Sequence, residues 1–206
     1  TLTHSPTLTH SHTHTHTHSY FKGGKASRQT MWKVMESFVK AGKARAIGVS
    51  HYCQRHLKDV MEIATIPIAV NQVQYHVGMG NAGPNATDDK QFCDANGVTY
   101  ESFSPLCGPC TDAAGKPDRS LVNGPLVTSI GKNHGKSGAQ VSLRWQVQSG
   151  IPVIPKTSNP EHQKENIDLF SWSLTEEEME QLTAATTPPV AGTPGPDFTS
   201  GDCTIA

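Results

Sequence analysis

A chain of 206 residues, 35% of them hydrophobic, is long enough for one domain with its own core. Its 17 Lys and Arg against 18 Asp and Glu leave a formal net charge of -1, so nothing electrostatic points to nucleic acid or an anionic membrane as a partner. No apolar run reaches the length of a membrane span, and the N-terminus shows no basic start followed by an apolar stretch, so no secretory signal is expected. The cysteines number five, an odd count without the spacing of a disulfide framework; a reducing, cytoplasmic compartment is the expectation.

Residues 1–21 read as a low-complexity His/Thr tail. His10, His12, His14, His16 and His18 alternate there with Thr or Ser, and residues 1–20 hold no Lys, Arg, Asp or Glu. Such a tract cannot build a core, so it is expected to be disordered. Imidazoles on one face of an extended tract suit adventitious Zn, Cu or Ni, and no physiological metal site is expected.

From Ser27 the character changes. Met31, Val34, Met35, Phe38 and Val39 recur at helical spacing, and Gly42 is the stop signal. Residues 44–50 read as a strand, 56–66 as a helix broken by Pro67, and 68–75 as the next strand. A short helix over 88–95 precedes a third strand over 98–104. Helices over 126–132 and 139–148 lead to a fourth strand, 151–154; two helices, 160–170 and 175–185, close the pattern, the last opened by a Thr175–Glu178 capping box. Residues 188–206 are rich in Pro and Gly and read as an irregular tail. Strands alternating with helices imply parallel βαβ units, as in a doubly wound sheet or part of a barrel. Periodicity does not choose between them.

The stretch Ile151–Asn166, IPVIPKTSNPEHQKEN, has chemistry of its own. Its β-branched run ends at Pro155; Lys156, Thr157 and Ser158 follow, and Asn159 stands as N-cap ahead of Pro160. A cation and hydroxyls between a strand end and a helix N-terminus favour a phosphate. An ordinary βα loop with a surface lysine has the same composition.

Three earlier strand ends narrow this. GKARAIGVS (Gly42 to Ser50), NQVQYH (Asn71 to His76) and SFSPL (Ser102 to Leu106) precede IPKTSNPEHQKEN in order. Together the motifs resemble the aldo-keto reductase family over about residues 31–185. The resemblance implies a TIM-barrel type (β/α)8 fold that binds NADP(H) and reduces small carbonyl substrates, aldehydes or ketones, to alcohols. It covers only what would be strands 5–8, as one NADP-binding βα region over 22–187.

The resemblance also implies roles. Ser50 and Gln72 match positions bonded to the nicotinamide carboxamide, and Phe103 matches an aromatic, usually tyrosine, stacked on the nicotinamide ring. Ser104 and Leu106 match positions lining the pyrophosphate. Lys156 and Thr157 match the grip on the 2′-phosphate, and Glu165 and Asn166 match positions facing adenine. Two residues depart from the pattern: His51 replaces the family's asparagine, and His162 falls where its arginine holds the 2′-phosphate. Imidazole lacks the fixed charge and bidentate fork of guanidinium, which weakens the preference for NADPH over NADH.

The family's catalytic Asp, Tyr and Lys belong to the first half of the barrel, and motifs carrying them are absent from these residues. His18 falls near the place of the family's histidine; Tyr20 lacks the neighbours of the catalytic tyrosine. A barrel of this type typically needs about 250 residues. The chain is therefore expected to be a truncated or incompletely represented reductase, inactive or self-associating through exposed strand edges. Its different-class alternatives are a non-catalytic nucleotide-binding or interaction remnant and a CxxC dithiol redox protein. The last rests on Cys107-Gly108-Pro109-Cys110, whose flanking TDAAGKPDRS lacks the amphipathic helix a redox dithiol needs.

Overall fold

The computed structural model describes residues 14–17, 24–79, 89–108, 110 and 115–185. Its strands are β1 (His14–Thr17), β2 (Ala46–Ser50), β3 (Val70–Gln74), β4 (Thr99–Phe103) and β5 (Val153–Ile154). They form one parallel sheet in the order β1-β2-β3-β4-β5. Strands that pair in chain order, without a reversal, are wound one way around, as in a barrel; a doubly wound sheet reverses partway. This resolves what periodicity left open. No helix among the described residues is long and apolar enough to cross a membrane.

The helices are α1 (Lys25–Lys40), α2 (Gln54–Met61), α3 (Asp89–Ala95), α4 (Ser120–Asn123), α5 (Pro125–His134), α6 (Gly138–Gln148), α7 (Pro160–Ile167) and α8 (Glu176–Thr183). Helix α1 buries Arg28, Trp32, Met35 and Glu36, one stripe at helical spacing. It stops where Gly42 takes φ +68°, a conformation glycine adopts without steric cost. Helix α6 opens on a Ser137–Gln140 capping box and α8 on the expected Thr175–Glu178 box.

Two expectations need correction. Disorder was expected throughout the His/Thr tract, yet His14–Thr17 pairs in register with Ala46–Val49. The outer edge of β2 offers unpaired backbone groups, and a tract with alternating β-branched threonines can answer them. Helix α4 was also not expected; its four residues are too few to show a period.

The core lies between sheet and helices. Trp32, Ile47, Val49, Leu57, Val60, Tyr75, Val141, Trp145 and Ile151 belong to it. Tyr75 stacks on Trp145 at 5.4 Å between ring centroids and meets Tyr100 edge-on at 5.9 Å. Charged groups within this layer are paired, while the Trp32 indole Nε1 is buried without a partner among the described residues. Arg28 on α1 donates to Asp59 on α2 through Nη2 at 2.5 Å and Nε at 3.1 Å. Glu36 accepts from the Thr65 and Ile66 N–H groups at 2.6 and 3.0 Å and from the Thr65 hydroxyl at 2.9 Å. Burial pushes the Glu36 carboxyl up; the donors on Ile66 and Thr65, with Lys40, outweigh it and hold the group below its ordinary value. Gly48 sets the spacing of β2 and β3: a Cβ there would lie 2.6 Å from the Val70 carbonyl oxygen.

Candidate functional site

Parallel strands in one sheet bring their C-terminal ends to one side, and the predicted site residues cluster there. Ser50 pairs with Gln72, and Gln72 with Glu101, so the three form a row across β2, β3 and β4. The row is hydrogen-bonded. Ser50 Oγ donates to the Gln72 carbonyl at 3.0 Å, and the His51 N–H donates to the same oxygen at 2.9 Å. Gln72 Nε2 donates to Glu101 Oε1 at 2.7 Å. Ser50 and Gln72 are buried.

His51 and Phe103 stand just beyond this row, edge to face, with 5.0 Å between ring centroids. His51 has φ +56°, Ser104 +48° and Cys107 +50°, and no other non-glycine residue among those described has positive φ. All three follow strand ends on the same side of the sheet. Backbone strain of this kind costs about 1–3 kcal/mol per residue, persists only where surrounding structure enforces it, and gathers at functional sites. Here the enforcing contacts are visible. The Cys107 N–H donates to the Ser104 carbonyl at 2.8 Å, and Gln146 Nε2 on α6 holds the Pro105 carbonyl at 3.0 Å. The loop carrying Ser104 and Leu106 is thereby pinned against the core.

Beyond β5, Lys156 is exposed and Thr157 half-buried. Thr157 Oγ1 accepts from the Asn159 N–H at 3.1 Å, and Asn159 Oδ1 caps α7 through the Glu161 N–H at 2.9 Å, as expected. His162 is exposed on α7, and Glu165 and Asn166 are half-buried. Glu165 Oε2 accepts from Ser137 Oγ at 3.1 Å, tying α7 to the start of α6. Ser50, His51, Gln72, Phe103 and Ser104 thus form one cluster, while Lys156, Thr157, His162, Glu165 and Asn166 form a second around the β5–α7 turn. His18 lies outside the described residues.

Two members of the first cluster were missed from sequence. Glu101 stands two residues before Phe103, on the same face of β4, and strand alternation was the available signal. Asn71 is fully buried and exchanges two bonds with the Tyr52 backbone, accepting from its N–H at 3.2 Å and donating to its carbonyl at 2.7 Å. It fixes the turn that carries His51. Nothing in the string NQVQYH distinguishes that asparagine from a surface one.

The chain matches a known family and known proteins. The model of the aldo/keto reductase family matches residues 3–187. The chain is 38% identical over 154 residues to aldo-keto reductase family 4 member C11 of Arabidopsis thaliana, covering 74% of this chain and 46% of that protein. It is 36% identical over 168 residues to the NAD(P)H-dependent D-xylose reductase of Aspergillus niger, covering 78% of this chain and 50% of that one. Among solved structures it superposes on an aldo-keto reductase from a Medee basin deep-sea metagenome library with TM-score 0.68 and 31% identity, covering 80% of this chain and 56% of the other. The chain spans about half the length of the curated relatives it matches.

Proposed function

This chain belongs to the aldo/keto reductase family, and from that premise we propose that these 206 residues carry the family's nicotinamide-dinucleotide grip, for NADP(H) in particular, without the set that transfers a proton to a carbonyl. The supporting observation is the strand-end row. Ser50, Gln72 and Glu101 are hydrogen-bonded in register, and His51 and Phe103 stand directly beside them.

The residues present fit such a cofactor. Phe103 is half-buried, with one edge engaged by His51 and an aromatic face suited to a planar ring. The Gln72 carboxamide is oriented by Glu101, and a preoriented amide pairs with a carboxamide at little entropic cost. Lys156 is exposed and has no ion-pair partner among the described residues, so its charge is available to a phosphate beside the capped start of α7. Bound there, the dinucleotide would supply a hydride.

Reduction of a small aldehyde or ketone also needs a tuned proton donor. A tyrosine–lysine–aspartate set for that task has no counterpart in the motifs of this sequence, whose four motif-bearing strands, β2 to β5, resemble strands 5–8 of the family barrel. In this reading the 206 residues bind cofactor and do not turn over carbonyl substrate. The redox-dithiol reading has the Cys107–Cys110 disulfide in its favour but lacks the surroundings such a motif needs. Cys107 and Cys110 are buried, and the next described helix after them, α4, begins only at Ser120.

Titration of NADPH with the chain, followed by nicotinamide fluorescence, tests the proposal. Saturable binding at one equivalent, weakened by Lys156→Met, is expected. Absence of saturable binding to the folded chain would overturn it.

A further inference from the structure

The sequence suggests no metal site, but the fold brings one together. His76 follows β3, and Cys107 and Cys110 lie in the loop after β4, so the parallel pairing of those strands delivers all three to one end of the sheet. All are buried: His76 0%, Cys107 2% and Cys110 1% exposed. One ligand atom from each residue lies within 4.8 Å of the other two. We propose that, with the two cysteines reduced, His76 Nε2, Cys107 Sγ and Cys110 Sγ bind a zinc ion. The ion would clasp the loop after β4 to the end of β3.

The histidine is prepared for that role. Its Nδ1 lies 2.7 Å from the Val77 carbonyl oxygen, which can only accept, so Nδ1 carries the proton and Nε2 presents its lone pair. A backbone carbonyl fixing the tautomer of a ligating imidazole is the usual outer-shell arrangement at zinc. Nε2 stands 3.8 Å from Cys110 Sγ. Zinc bonds of about 2.3 Å to sulfur and about 2.0 Å to nitrogen, opened to a tetrahedral angle, separate such atoms by about 3.5 Å.

The cysteines have the two-residue spacing of zinc-binding knuckles. Their backbone is held by the Cys110 N–H on the Cys107 carbonyl at 3.1 Å and the Asp118 N–H on the Cys110 carbonyl at 2.8 Å. Burial, which disfavours thiol exchange chemistry, is compatible with a structural metal ligand. Among the described residues no fourth protein ligand accompanies them.

Cys107 and Cys110 are joined by a disulfide here, with Cα atoms 5.3 Å apart. The metal-binding state is reached by reduction. A small dithiol or a phosphine takes up the bridge, giving two Cys thiols and the oxidised reductant; zinc then displaces two protons as both thiolates bind. The disulfide and zinc forms are alternatives at the same three residues.

The test uses the full chain, reduced with a phosphine and titrated anaerobically with cobalt(II). A thiolate-to-cobalt charge-transfer band and tetrahedral d–d bands are expected to saturate together at one equivalent and to vanish when zinc is added. The histidine tract gives no thiolate band, so it cannot imitate this result. Zinc is expected to shield Cys107 and Cys110 from alkylation, read by peptide mass. His76→Ala should weaken zinc binding by more than about a hundredfold, beyond what loss of an outer-shell partner does, while Cys93→Ser leaves it unchanged. Should His76→Ala not fold, the wild-type spectrum and alkylation pattern decide alone. The proposal is overturned by absence of a thiolate band in the reduced, folded chain, by shielding of other cysteines instead, or by equal zinc affinity in the disulfide form.

Discussion

Gln72 Nε2 donates to Glu101 Oε1 at 2.7 Å, between positions directly opposite each other in the β3–β4 ladder. The acid orients the amide that the proposed function assigns to the nicotinamide carboxamide. A hydrogen bond to a charged group contributes about 1.5–3 kcal/mol. Glu101→Ala is therefore expected to weaken NADPH binding by about tenfold without loss of fold. Fluorescence titration beside a far-UV spectrum checks both parts; unchanged affinity would show that Gln72 is not oriented from β4.

Lys156 and His162 divide the second cluster by charge. Lys156→Met removes the fixed cation next to the α7 N-terminus and is expected to reduce NADPH affinity by about tenfold, with little effect on NADH. His162→Arg restores a guanidinium and should raise the NADPH-to-NADH affinity ratio. Equal changes for both cofactors would remove the 2′-phosphate from this turn.

Gly48 tests the sheet itself. A Cβ at that position meets the Val70 backbone, which cannot move without disturbing the β2–β3 pairing under Ser50 and Gln72. Gly48→Ala is expected to destabilise the fold by about 1–3 kcal/mol, as overpacking does, measured as a lower urea midpoint. An unchanged midpoint would mean that β2 and β3 are not held this closely.

Acid should unfold the chain through Glu36 and Glu178. For Glu178, burial raises the pKa, but the Thr175 N–H, His134 and Asn133 more than offset it, so the folded value lies below the ordinary 4.5. Glu36 is lowered from the same 4.5. Below that pH the unfolded chain takes up protons that the folded chain refuses. Their stabilisation is complete above about pH 4.5 and is lost as pH falls through the lowered folded values. Denaturant midpoints measured from pH 7 to 3 should fall mainly in the acid part, and Glu36→Gln should flatten that fall.

Local signals made most of the fold legible. Helix α1 announced itself by apolar spacing and a terminal glycine, and α8 by its capping box. Asn159 was placed as the cap of α7 from its neighbours alone. What escaped depends on pairing over distance. Strand β1 exists through the free edge of β2, which no property of the His/Thr tract encodes. Glu101 matters because Gln72 lies opposite, and the CGPC string gains a ligand 34 residues before Cys110 only when β3 and β4 align. Of the residues singled out by the ordered motifs, Ser50, Phe103 and Ser104 lie at or just after strand ends, whereas His162, Glu165 and Asn166 lie on α7.

The most direct test of the central claim is NADPH oxidation by the 206-residue chain, with excess small aldehyde, at a concentration where NADPH is shown by fluorescence to be bound. Saturated cofactor with no oxidation above the uncatalysed rate is the expected result. Steady turnover that disappears with Lys156→Met would contradict it, because the chain would then hold a proton donor that its motifs do not reveal.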